Sequence, residues 1–560
     1  MKNCLQLPSS QNHAKFLSKL LFLLSVMVSI ATTYYVTGHF LDSDASSELV
    51  LARQLFESGK IISRDWFYST ELRVLNAQLV YSAMFRIFSN WHLIRFFSAL
   101  TLQGVYILAY GFMLHQGGFK KTDFYISAPL LLLPVSVAYG RIVLYHCHYI
   151  THIALSFFLM GLLLGFARDT VLSPVQSCIR VGIILIASFI GGLGGIRHLM
   201  IIHTPMLLLI LLICLLEDLQ SKDSGKAALF SRQKILLFSV AALAFLAAFI
   251  GYKINTDVFT NYFAFRSYSD TTLASPAFSH LSEILYGFLH QFGFRKELPM
   301  LSLLGILSLG GILSAVFCLY LSARIIRSFK AGNDLRKTMV SLFFLCYLVV
   351  MTAVFLIVED PYGYYYPLYY VICLPWAAPL LLSVPDFFSK DVHPFNFKRI
   401  FSWAAVLLLF ANGLANIAFF NGVEQFDQLY EGLTFQEKNK VVQLTPVVDY
   451  LLENKYDYGY GTYWESNITT ELTDGKIPMF NVFMIYDEDG TPYVSYFNWL
   501  TSVWQREAPK EKTFVIVSAD KQPLFEQTVN YPYCTRVYSD AFHYVYNIDN
   551  LEEFSKTLGD

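Results

Sequence analysis

Residues 16–53 read FLSKLLFLLSVMVSIATTYYVTGHFLDSDASSELVLAR. The stretch opens with about twenty apolar residues, the length a helix needs to cross a hydrocarbon core of roughly 30 Å. Lys2 and Lys15 precede the apolar run and Lys19 lies at its start; the run closes on Thr32, Thr33, Tyr34 and Tyr35, an interfacial ending. A cleaved signal peptide has a shorter core and a small-residue cleavage site. Residues 16–36 therefore read as a retained span with its N-terminus in the cytoplasm. Directly beyond it lie three carboxylates, Asp42, Asp44 and Glu48, and then apolar residues at helical spacing as far as Phe56.

The same material recurs along the chain. Of 560 residues, 55% are hydrophobic and 15% charged, with a mean hydropathy of +0.45. A soluble domain carries about 25% charged residues, so a soluble enzyme, a disordered chain and a coiled coil are excluded. Further apolar runs at 92–115, 124–140, 142–166, 181–197, 199–216, 235–252, 301–322, 339–358, 367–384 and 401–421 predict a polytopic α-helical membrane protein with about eleven transmembrane helices. The short pairs within 124–166 and 181–216 read equally as re-entrant hairpins or broken helices. With this register the cytoplasmic segments carry 19 Lys and Arg and the short external turns two, Arg141 and Arg197. That asymmetry follows the positive-inside rule and puts the C-terminus outside, in a multi-pass protein of the cell membrane. The 41 basic and 42 acidic residues balance, which gives no case for nucleic acid. No Cys-x-x-Cys occurs among the eight cysteines, so neither a disulfide framework nor a thiolate zinc site is indicated.

The expected domains are 1–421, a transmembrane domain with external loops 38–91 and 253–300, and 422–560, an extracytoplasmic α/β domain. In the first loop, residues 48–56 and 72–88 have helical periodicity and read as helices lying on the membrane surface; residues 281–292 of the second loop are similar. The tail is polar and mixed, with a helix over 437–454 and strands over 513–518 and 543–547. No internal repeat is visible.

Asp44 and Glu48 stand at i, i+4 and share one side of a helix that starts here, while Asp42 or Asp44 is also a natural N-cap. This constellation resembles the GT-C membrane glycosyltransferases, in the branch of the protein O-mannosyltransferases and the lipid A aminoarabinose transferase. In that branch the catalytic Asp lies eight residues before the Ala of an Ala-Arg pair, as Asp44 does before Ala52-Arg53. The family's Asp-Glu pair is Asp44-Ala45 here, and its His-Pro-Pro segment is replaced by Trp66-Phe67-Tyr68-Ser69-Thr70-Glu71-Leu72-Arg73, as in a bacterial subgroup. The resemblance implies a GT-C-like fold and transfer of a hexosyl or pentosyl group from a polyprenyl-phosphate donor to a glycan, lipid or protein acceptor. Asp44 would be the general base, with Asp42 and Glu48 beside it and Glu71 and Arg73 as substrate contacts.

The chemistry fits without the name. Attack by a hydroxyl at an anomeric carbon needs a base for its proton. The phosphate already leaves well and needs cationic stabilisation more than an acid. Arg197 and His198, after Gly191-Gly192-Leu193-Gly194-Gly195, are cations at membrane depth, as is Arg141. Tyr364, in the turn from Glu359 to Pro367, suits a sugar or polyprenyl contact as well as an aromatic belt. His146, His148 and His152 read first as polar lining; His148 and His152, one helical turn apart, could share a divalent metal, although none is required. Two rival functions remain: a transporter or flippase of a lipid-linked or polar substrate, against which the missing repeat counts, and a catalytically silent scaffold with the same fold.

Overall fold

The apolar runs fold as helices because only an intra-segment ladder satisfies backbone N–H and C=O groups in hydrocarbon. The computed structural model describes residues 10–69, 72–168, 173–223, 231–266, 272–273, 281–329, 334–359, 370–382, 397–422, 439–508 and 510–559. Among these, nine helices are long and apolar enough to cross a membrane: Lys15–His39, Trp91–Gln116, Ile150–Ala167, Pro174–Leu193, Leu199–Leu219, Arg232–Asn261, Leu303–Arg327, Leu335–Ile357 and Trp403–Phe420. A tenth apolar segment is the pair Lys121–Leu132 and Val137–Tyr145, bent by 91°, and Cys373–Leu382 is a shorter apolar helix. The chain is a multi-pass membrane protein.

By its contacts the chain divides into two units. The first takes residues 1–33, 102–254 and 270–432. Its bend at 132–137 follows from Pro134: the residue before a proline is pushed to extended backbone, and Leu133 has φ −103° and ψ 140°. The carbonyls released there are satisfied by Asn416, whose Nδ2 donates to Pro134 O at 2.7 Å and Val135 O at 2.9 Å. Asn416 Oδ1 in turn accepts from Arg295 Nη2. Arg295 is thus a buried cation held by a side chain of another helix. The 181–216 pair resolves into two separate helices. Gly192 and Gly251 let Pro174–Leu193 cross Arg232–Lys253 backbone to backbone: a Cβ on Gly192 would sit 2.0 Å from Ala248 O, and one on Gly251 2.3 Å from Phe189 O.

The second unit joins residues 34–101, 255–269 and 433–560. Its six-stranded sheet has Tyr458–Gly461 at the centre, parallel to Met479–Tyr486 on one side and to Thr513–Ser518 on the other. Pro492–Tyr496 closes one edge antiparallel, and His543–Ile548 then Cys534–Ser539 close the other. Alternation along 513–518 feeds two cores. Phe514 and Ile516 pack with Leu444, Val447 and Leu451 of the helix Lys440–Glu453, and Val515 and Val517 pack with Tyr458, Phe480 and Phe525. A second, three-stranded sheet draws the unit's segments together: Trp66–Tyr68 runs parallel to Ala264–Phe265 and antiparallel to Thr501–Ser502.

Both first-loop helices pack a face against protein. Ser43–Ser58 buries Ala45, Leu49, Val50, Leu51, Ala52 and Leu55 inside the protein. The second contracts to Ala77–Met84, and the second-loop helix is Leu281–His290.

Candidate functional site

The helix Ser43–Ser58 starts at Asp42, which has extended backbone and accepts a hydrogen bond from Ala45 N at 2.8 Å. Asp42 is therefore the N-cap. Its carboxylate is committed at least in part to an otherwise unsatisfied donor of the first turn. The helix ends at Gly59, whose φ of 64° belongs to the left-handed region.

Asp44 follows the cap inside the first turn. It is exposed, and its Oδ1 accepts from Tyr463 OH at 2.5 Å. Among the described residues no side chain or backbone group donates to its Oδ2 within hydrogen-bonding distance. Tyr463 opens the helix Tyr463–Leu472 and is buried, with its ring 4.5 Å from that of Trp499. Burial, and then the Asp44 charge, raise the Tyr463 phenol well above its usual range. The phenol stays protonated and acts as donor in this bond.

One turn along, Glu48 projects from the same side of the helix as Asp44, as i, i+4 spacing requires. It is buried and accepts from Arg73 Nη1 at 2.7 Å and Asn76 Nδ2 at 3.2 Å. Asp44, Glu48 and Arg73, with Ser47, Trp66 and Tyr68 among the other lining residues, face a small open cleft. Burial pushes the Tyr68 phenol up to about 12; its OH donates to Ser63 O at 2.9 Å, which keeps it neutral. The site thus sets one exposed carboxylate beside a buried, charge-paired one. Arg53, the other half of the Ala-Arg pair, binds Glu57 on its own helix at 2.5 Å.

Behind the helix start, Arg95 is fully buried and holds Glu471 in two hydrogen bonds of 2.7 and 2.6 Å; its Nη2 also donates to Ala45 O at 3.1 Å. The sequence reading passed over both Arg95 and Tyr463. Arg95 was detectable as a charge inside an apolar run, which is costly unless paired. Tyr463 is one of 36 tyrosines and carries no local signal.

Arg141, Arg197 and His198 belong to the other unit. The His198 ring stacks on His152 at 4.3 Å, and the Arg197 guanidinium lies 5.7 Å from the centre of the Tyr149 ring. Gly191 and Gly194 close on His198, where a Cβ would come within 3.2 and 3.3 Å of its ring, and Gly195 has φ 106°. The glycines accept backbone and imidazole contacts here. His148 and His152 do not share a helix turn: Cys147, at φ 60°, interrupts the chain, and the helix begins at Ile150. Glu71 and Tyr364 lie outside the described residues.

No protein-family model matches the sequence. No curated protein matches it either. Solved structures do. ArnT from Cupriavidus metallidurans bound to undecaprenyl phosphate superposes with a TM-score of 0.52 at 12% identity, over 94% of this chain and 97% of that one. Its apo state gives 0.50 at 14% identity over the same shares. At such identity the likeness is one of fold, and it spans nearly the whole of both chains. The fold of this chain is accordingly similar to that of ArnT from Cupriavidus metallidurans.

Proposed function

We propose that this chain is a GT-C-type glycosyltransferase moving a sugar from a polyprenyl-phosphate donor to an acceptor hydroxyl at the outer membrane face. One observation carries the reading: Asp44 stands exposed at the wall of a cleft, with one oxygen tied to Tyr463 and the other open to a substrate proton. The similar ArnT chain holds undecaprenyl phosphate, which favours a lipid-phosphate donor here.

In the transfer, the acceptor hydroxyl gives its proton to Asp44 Oδ2 as its oxygen bonds to the anomeric carbon. The bond from that carbon to the phosphate oxygen breaks, and polyprenyl phosphate leaves with the electron pair. Glu48 is already neutralised by Arg73, so it orients that guanidinium and does not compete for the proton. Arg141, Arg197 and His198 are proposed contacts of the lipid phosphate, on the strength of their place between apolar spans. The scheme requires no metal, and a divalent ion is compatible with it.

The test is sugar release from a polyprenyl-phosphate donor by protein in nanodiscs. Asp44→Asn keeps shape and removes the proton acceptor; turnover is expected to fall about 10²–10⁴-fold, roughly 3–5 kcal/mol of barrier. A parent-like Asp44→Asn with a dead Asp42→Asn would move the role to Asp42. Full activity of both would end this mechanism, and a parent inert with every donor offered would favour a scaffold.

A further inference from the structure

The residue that grips Asp44 lies 419 positions downstream of it, in the tail. We propose that Tyr463 is a positioning residue for Asp44, so that the C-terminal segment completes the reactive centre; the inference rests on the reading of Asp44 as base.

Three features support it. Tyr463 cannot swing away: it is buried, packed on Trp499, and fixed at the start of a ten-residue helix. That helix is pinned again at its far end, where Glu471 takes both arms of Arg95, and Arg95 also holds Ala45 O, the carbonyl next to Asp44. The first turn of Ser43–Ser58 is thus held to the tail at two consecutive residues, once directly and once through Arg95. Finally, the bond takes only Oδ1, which fixes the carboxylate plane and leaves Oδ2 for the substrate proton. A base aligned in this way is worth more than a mobile one, because misplacement by about 1 Å costs up to roughly 10²-fold in rate.

Other charges near Asp44 are Asp42 and Glu48 on its own segment, Arg73 and the neutral Tyr68 on the cleft wall, and the Arg95–Glu471 pair behind Ala45. The two ion pairs offset internally, which leaves the Tyr463 hydroxyl as the specific donor to this carboxylate.

Tyr463→Phe keeps the ring and deletes the donor. Expected are a kcat about 10- to 100-fold lower and a KM close to the parent's. A merely structural role would change stability and KM along with kcat. Should the Phe variant fail to fold, 4-fluorophenylalanine placed at 463 fills the place of the hydroxyl without donating, and the same fall in kcat at constant KM is expected. A folded Tyr463→Phe with parent kcat, or one whose loss is all in KM, overturns the inference, as does a parent-like kcat with 4-fluorophenylalanine. Asp44→Asn run alongside separates the two readings. If Asp44→Asn is dead and Tyr463→Phe is parent-like, only this inference falls; if Asp44→Asn is active, the base assignment falls first.

Discussion

Asp42 and Asp44 stand two residues apart, and the helix start between them separates their roles. Asp42 spends an oxygen on Ala45 N, while Asp44 faces the cleft. Capping predicts a distinctive pair of outcomes. Asn is as good an N-cap as Asp, so Asp42→Asn should leave stability within a few tenths of a kcal/mol, whereas Asp42→Ala should cost about 1 kcal/mol. Thermal unfolding of the two purified variants in one detergent checks this; equal losses would mean that the cap is not what Asp42 contributes. The eight-residue spacing from Asp44 to Ala52 also takes on a physical sense. Ala52 is fully buried and belongs to the packed face of the helix, whereas Asp44 lies on the cleft side. Arg53 pairs with Glu57 and lies 5.6 Å from the centre of the Phe85 ring.

The helices Ser43–Ser58 and Tyr463–Leu472 are held by the Arg95–Glu471 pair, with side chains 0% and 4% exposed. Such a pair is weak evidence for net stability, but removing one partner strands the other's charge in a dry interior. Arg95→Met should therefore destabilise by about 3–5 kcal/mol, and the double variant Arg95→Met, Glu471→Met should recover most of that loss. A double-mutant cycle on unfolding free energies reads it; additive losses would show that the two charges do not depend on each other. The tail helix and the strands 513–518 and 543–548 were legible because their alternating or helical patterns coincide with local burial. For 48–56 the pattern gives the buried face, and the structure adds that protein packs against it. An amphipathic pattern says that one face is buried, and it does not say whether lipid or protein covers it.

For the whole chain, orientation in the membrane is the property with the largest consequence, since it decides which compartment the cleft opens to. The 19-to-two partition of Lys and Arg predicts that both long loops and the tail lie outside the cytoplasm. A reporter active only in the cytoplasm, fused after Asp560, should be silent, and one fused in the loop at 222–234 should be active. A strongly active fusion after Asp560 would require an even number of crossings and would reverse this topology.

Composition, hydropathy and loop charge suffice for a polytopic helical protein, because a bilayer imposes a nearly one-dimensional condition: about twenty apolar residues per crossing. The candidate base was legible on similar terms, as a local spacing on one helix. What joins it to the rest was not. The bend at Pro134 is satisfied by Asn416, the Glu48 charge by Arg73, and Asp44 by Tyr463. Each of these bonds links residues between 25 and 419 positions apart. No periodicity runs over such separations. Pro134 and Asn416 meet only when 102–254 and 270–432 fold into one unit, and the other two pairs only when 34–101, 255–269 and 433–560 fold into another; each unit buries polar groups that must then find each other.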